Sequence, residues 1–248
     1  MSTSKLAPLQ VGVLSSLSAP LLPHLLQTLF HYGITGVCVL LDSKNMNEKD
    51  LGIWNRRTEG AFDHGPNLHD FTTEGLTLYA VKSHNDESSI ELIKKIRLKL
   101  LINGGTLRKL NSDVLSSVSQ GVINVHPGVL PKYRGSSCVE WAIYNDDPIG
   151  NTAHFMSEGY DEGPIIKTEH YEFTKGDSYS SIRVRVYRES LRLMAETVKY
   201  VLDSGLRPAD IPKQGDGQLF PPIPNDKMEE VIKKIDKKLY VYMQGNNK

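Results

Sequence analysis

The chain of 248 residues has only two cysteines, Cys38 and Cys138. One pair supports neither a disulfide scaffold nor a four-thiolate metal site, and the plain reading is two buried, reduced thiols. Net charge is also lacking, since 29 Lys and Arg balance 29 Asp and Glu. That balance argues against a dedicated nucleic-acid binder, which carries a basic excess. No internal repeat is visible. Residues 6–41 contain no Asp, Glu, Lys or Arg, yet Gly12, Pro20, Pro23, Gly33, Gly36 and several Ser and His interrupt them. No part supplies the roughly 20 consecutive apolar residues that span a bilayer. A secretory leader wants a basic start and one apolar block, and Lys5 alone is a poor start. The expectation is a cytoplasmic protein with no membrane association. What is present is globular in composition, 39% hydrophobic and 23% charged. The length allows one large domain, or one domain and a small appendage.

Val11–Leu14 and Gly36–Leu41 read as strands buried on both faces. Between them Leu21, Leu22, Leu25, Leu26, Leu29 and Phe30 fall on one helical face, with Gly33 placed to end the helix. Strand, helix, strand predicts a parallel βαβ unit. Residues 43–73 show no clean period. The alternation resumes with strands over 76–81 and 98–102, a turn at Asn103–Gly105, and a strand over 121–125. Strands over 151–156 and 164–173 precede a long helix from Asp177 or Ser178 to about Ser204. Beyond Gly205 the prolines cluster, which reads as an extended segment, and Asn225 is placed to cap a final helix over 226–239. The division expected is 1–205 as the main domain and 206–248 as a short extension whose last residues, Gly245–Lys248, fray.

The chemistry concentrates in residues 121–164. In Asn124-Val125-His126 the strand alternation puts Asn124 and His126 on one face at a strand end, and Asp161 lies in a glycine-flanked loop. An amide, an imidazole and a carboxylate can stabilise an oxyanion and move protons. By spacing alone this Asn-x-His pair equally fits an ordinary strand end. The remaining histidines, His24, His31, His64, His69, His84 and His170, lack metal-ligand spacing, so no metal is expected.

The block N-V-H-P-G-V-L-P-K-Y-R-G, preceded by L-I-N-G-G-T-L-R-K-L and followed by T-A-H-F and Y-D-E-G-P-I-I, resembles the folate-dependent formyltransferase family. The resemblance is strong over about 98–205 and weak over 43–73 and after 206. It implies a mostly parallel, twisted, Rossmann-like α/β sheet with helices on both faces, a 10-formyltetrahydrofolate donor and an amine acceptor. It places the catalytic residues at Asn124, His126 and Asp161, with Asn124 and a protonated His126 both donating to the formyl oxygen. It places folate contacts at Asn103, Gly105, Leu107, Arg108 and Leu110 and at Glu158, Gly159 and Tyr160. His154 matches a histidine that either supports the loop or acts directly.

Within the family the departures narrow the acceptor. The phosphate turn of glycinamide ribonucleotide enzymes is Ser15–Ser18 here, without glycine, and their substrate glutamate falls at Ser190. A transfer-RNA-binding domain would need more than the stretch after Gly205, and a regulatory domain more than the stretch before Val11. The resemblance then fits the sugar N-formyltransferases best, implying a nucleotide-linked amino deoxysugar as partner and a homodimer. Candidates for the nucleotide and sugar are Trp54, Arg56 and Arg57, and Lys132, Tyr133, Arg134 and Trp141. The plain alternatives are a solvated charged face for the two arginines and a core position for Trp141. Glycinamide ribonucleotide, another small amine, or a folate-binding sensor without turnover are the alternatives.

Overall fold

The computed structural model describes residues 9–244. A seven-stranded sheet runs in the order β3-β2-β1-β4-β5-β7-β8. Its strands are β1 (Val11–Ser16), β2 (Val37–Asp42), β3 (Thr77–Val81), β4 (Leu100–Asn103), β5 (Val122–His126), β7 (Gly150–Phe155) and β8 (Ile165–His170). The first five are parallel, while β7 and β8 pair antiparallel at one edge. The chain winds outward from β1 through β2 to β3, then returns to the other side of β1 as β4. That reversal opens a crevice beyond the carboxyl ends of β1 and β4, where open sheets of this type bind ligands.

Alternation along each strand sorts its side chains onto two covered faces. Val11, Val13, Val37, Val39, Leu100 and Ile102 meet α1 (Leu22–His31) and α6 (Tyr179–Ser204). Leu14, Cys38, Leu40 and Leu101 meet α3 (Glu87–Lys95) and α4 (Ser112–Leu115). Leu22, Leu25, Leu26 and Leu29 are all buried, and each such leucine contributes about 1.5–3 kcal/mol. Gly12 is required by close approach, because a Cβ there would lie 2.5 Å from Leu101 Cδ2. Gly33, at φ 74°, stops α1 as expected, and Ser178 caps α6 by accepting from Ser181 N.

The segment 43–73 contains α2 (Glu48–Thr58), capped by Asn47 and packed on α6. A 3-10 turn follows over Leu68–Glu74. Residues 206–244 do not stand apart as a linker. Strand β10 (Gln218–Phe220) pairs parallel with β6 (Tyr133–Gly135), and α7 (Asn225–Asp236) packs on α5 (Cys138–Tyr144). Near the end of the described chain, β11 (Met243–Gln244) pairs with β9 (Phe173–Thr174). Phe220, Val231, Ile235, Tyr240 and Met243 complete a core with Tyr133, Cys138 and Trp141. The N-cap of α7 is Pro224 rather than Asn225. The expected fraying of Gly245–Lys248 lies outside the described residues. Both cysteines are buried and free, and burial pushes each thiol up to about 12. Among the described residues no helix is long and apolar enough to cross a membrane, and no His, Cys, Asp and Glu group is arranged to hold a metal.

Candidate active site

Strand β5 carries Asn124 and His126 to the sheet's carboxyl edge, where the loop after β7 brings Asp161 back over them. Asp161 Oδ2 lies 3.3 Å from His126 Nδ1, and Oδ1 lies 3.5 Å from His154 Nε2. Gly135 N donates to the same Oδ2 at 2.9 Å. The backbone of Asp161 is left-handed, φ 55°, a conformation that costs an ordinary L-residue about 1–2 kcal/mol and is best tolerated by Asp, Asn and Gly. Such a position persists only where its surroundings hold it.

The polarity of the amides can be read off the hydrogen bonds. Asn103 Oδ1 accepts from the backbone N–H groups of Gly105 and Thr106, both at 3.0 Å. Its Nδ2 must therefore be the donor to Asn124 Oδ1, at 3.0 Å. This turns Asn124 Nδ2 toward His154 Nε2, at 3.2 Å. His154 Nδ1 donates to the Phe155 carbonyl at 2.8 Å, leaving Nε2 free to accept. One Nδ2 hydrogen of Asn124 is thus committed to His154 and the second is not.

His126 departs from the expected arrangement. Its Nε2 donates to the Tyr133 carbonyl at 2.8 Å, so neither ring nitrogen is left for a substrate oxygen. Only 4% of the residue is exposed. Burial pulls its pKa below the ordinary histidine value, and Asp161 opposes that pull. Burial pushes the Asp161 carboxyl up, but His126 and the Gly135 N–H oppose this, and the carboxyl lies below the ordinary value. The Tyr133 carbonyl on Nε2 and the Asp161 carboxylate beside Nδ1 both oppose the burial that disfavours the imidazolium.

Two cavities open on Asn124. One, of about 340 Å³, is lined by Asn103, Leu107, Arg108, Leu110, Gly159 and Tyr160, all expected at a folate site. Thr106, Lys109, His154, Met156, Ser157 and Asp161 join them. Ser157 Oγ is buried there without a partner. Glu158 is exposed, and Gly105 faces the other cavity. The Arg108 side chain turns away to Asp42, at 2.5 Å, anchoring the turn that forms this wall.

The second cavity, of about 370 Å³, occupies the crevice beyond β1 and β4. Its walls are Ala19, Pro20, Leu21 and Leu25, then Met46 and Trp54, and Tyr187, Ser190, Leu191 and Met194 of α6. Trp54 packs 5.1 Å from the Tyr187 ring, and Arg183 donates to the Tyr187 hydroxyl at 2.6 Å. None of the residues lining it is charged.

Of the residues expected to hold a nucleotide-linked sugar, only Trp54 reaches this cavity. Arg56 is exposed on α2. Arg57 is drawn to Glu140, at 3.1 Å, whose carboxyl burial pushes up but Arg183 and Arg57 hold at about 2. Lys132 pairs with Asp147, and the Tyr133 hydroxyl also bonds Asp147. Arg134 is taken by Gln214 and Gly215, and Trp141 is a core residue donating to the Pro221 carbonyl at 2.8 Å. Tyr187 and Met46 carried no sequence signal, since a helical Tyr and a loop Met read as ordinary packing.

Comparison with known proteins agrees with this architecture. A methionyl-tRNA formyltransferase of Pelotomaculum thermopropionicum is 31% identical over 149 residues, 60% of this chain and 46% of that protein. A second, from Clostridium tetani, is 27% identical over 128 residues, 51% of this chain and 41% of that one. The chain thus spans less than half the length of these curated relatives. Among solved structures, glycinamide ribonucleotide transformylase 1 from Symbiobacterium toebii superposes with a TM-score of 0.58 at 19% identity, covering 82% of this chain and 94% of that one. A sugar N-formyltransferase from Shewanella sp. FDAARGOS_354 gives 0.57 at 18% identity, covering 91% and 87%. The family model described as formyl transferase matches residues 26–198, a span that takes in Asn124, His126, Asp161 and the walls of the first cavity, and the chain belongs to that family.

Proposed function

We propose that the protein transfers a formyl group from 10-formyltetrahydrofolate to the amine of a nucleotide-linked amino deoxysugar. The observation that carries the transfer is Asn124, an amide of fixed polarity standing between two cavities, one for each substrate. The folate cavity fits its occupant by the unpartnered Ser157 hydroxyl and by the backbone groups of the 103–110 turn, which can read a pterin edge. When bound there, the folate supplies the formyl group.

The chain's own contribution follows from residue chemistry. The free Nδ2 hydrogen of Asn124 donates to the formyl oxygen as negative charge grows on it. An amine in an uncharged cavity is disfavoured as an ammonium, so the walls around Leu25, Met46 and Met194 favour the neutral nucleophile. Asp161 takes the amine proton and returns it to the folate nitrogen as the bond from that nitrogen to the formyl carbon breaks, while His126, bonded through Nε2 to the Tyr133 carbonyl, steadies the carboxylate. The aliphatic walls suit the methyl-bearing face of a deoxysugar, and Trp54 and Tyr187 offer ring faces to it. The diphosphate stays at the mouth, because a charged group gains nothing from entering uncharged walls.

Two measurements test this. Calorimetry should show a reduced folate binding without any acceptor; no binding at millimolar folate would remove the donor assignment. Turnover on a panel of nucleotide-linked amino sugars should exceed that on glycinamide ribonucleotide, with nucleoside diphosphates inhibiting competitively. Efficient formylation of glycinamide ribonucleotide with the whole panel refused would overturn the sugar assignment and leave the folate chemistry standing.

A further inference from the structure

Residues 206–220 lie beyond the span matched to the family, 26–198, yet they reach the candidate catalytic loop. Gln214 Nε2 donates to the carbonyl of Asp161 at 3.1 Å and also to the carbonyl of Gly163. Its Oε1 accepts from Arg134 Nη2 at 3.1 Å, and the same Nη2 donates to the Gly215 carbonyl at 2.8 Å. Three residues on, a Cβ at Gly217 would lie 1.9 Å from the Pro131 carbonyl, so the strap approaches as closely as glycine permits. Beyond it β10 lies along β6, and Ser136 N donates to the Phe220 carbonyl at 2.9 Å.

These contacts close around one residue. Gly135, at the end of β6, gives its N–H to the Asp161 carboxylate. Gln214 holds the main chain of the same aspartate, whose left-handed backbone needs support from outside its own loop. The Asp161 carboxylate and the Asp161 carbonyl are therefore fixed by neighbouring parts of a single β6–strap unit.

We propose that Gln214 is a positioning residue for Asp161, so that the strap after α6 belongs to the reaction machinery. This rests on the formyl-transfer reading for its kinetic consequence but not for its structural one. Removing the Gln214 amide frees the Asp161 loop, and the carboxylate moves off His126. The groups facing that pair are His154 on β7 and the Cys138 thiol on α5, which burial keeps neutral. Loss of the carboxylate therefore leaves burial unopposed by it, and the His126 pKa falls.

The test uses the full chain carrying Gln214→Leu, which removes both donors, and Gln214→Met, which keeps the length and neutrality but donates nothing. An NMR titration of the histidine side chains reads His126 directly and needs no substrate. In both variants the His126 pKa should fall relative to the parent. Turnover should drop about ten- to a hundredfold, as for a displaced catalytic group. If Gln214→Leu does not fold, Gln214→Met decides alone. An unchanged His126 titration overturns the proposal, whether or not turnover falls. If the parent formylates no acceptor at all, the formyl-transfer reading fails, and the titration still decides the role of Gln214.

Discussion

Asp161→Asn is expected to lower kcat by about 10³–10⁴-fold while both substrates still bind. Asparagine keeps the size of the side chain and an acceptor for Gly135 N, so the loop can close in the same place. It cannot take a proton from the amine, and it offers His126 Nδ1 a neutral amide in place of a carboxylate. The imidazole then has burial against it and no compensating charge, and its pKa falls further. Steady-state kinetics at saturating folate, with a binding measurement beside them, separates lost chemistry from lost affinity. Turnover within tenfold of the parent would remove Asp161 from the proton path. The same substitution has a pH signature in stability. The folded pKa of Asp161 is depressed, so its ionised form stabilises the fold above the ordinary carboxylate value of 3.8, and that contribution is lost as pH falls through the folded value. Denaturant melts of parent and variant should therefore differ most near neutral pH and converge in acid.

Asn124→Ala is the second large effect, a loss of about 10²–10³ in kcat, equivalent to about 2.7–4 kcal/mol for one oxyanion donor. Because His126 spends Nε2 on the Tyr133 carbonyl, the Asn124 amide has no second side-chain donor beside it to share the task. The amide is also the link between Asn103 and His154, so alanine leaves Asn103 Nδ2 and His154 Nε2 without their partner. Asn124→Asp separates the two roles. It retains an acceptor toward Asn103 but presents a negative charge where negative charge develops, and it should be at least as slow as alanine. Single-turnover formylation with preformed folate complex measures the chemical step; a variant limited only in substrate binding would recover at saturation.

The parallel strands were legible because burial on both faces leaves continuous apolar runs, as in Gly36–Leu41. Helix α2 was not, because only Trp54 and Thr58 of its eleven residues are buried and no period emerges from two positions. Its start signal, Asn47 accepting from Asp50 N, is a single side chain amid many polar ones. The strap at 206–220 was hidden for a related reason. Its hold on the molecule is made by backbone pairing to β6, by one glutamine and by scattered apolar residues such as Phe220, none of which leaves a periodic hydrophobic pattern. Asn124, His126 and Asp161 were readable through the resemblance of the block around them, since spacing alone equally fits an ordinary strand end. Of the cations expected at a diphosphate, Arg57, Lys132 and Arg134 have partners in Glu140, Asp147 and Gln214, which residue type does not reveal, and Arg56 lies exposed on α2.

The two cavities are built from separate stretches of chain. The folate side uses 103–110 and 154–161, while the other uses 19–25, the region around Met46 and Trp54, and one face of α6. They share only Asn103, Leu107 and Asn124. On the proposed assignment of the two cavities, acceptor preference is a separable trait. Residues 46, 54, 187, 190 and 194 can be exchanged as a set without disturbing the amide polarity chain or the donor wall. A library confined to those five positions would explore new amines on an unchanged formyl-delivering scaffold, and any clone that lost folate binding would mark a position that is not independent after all.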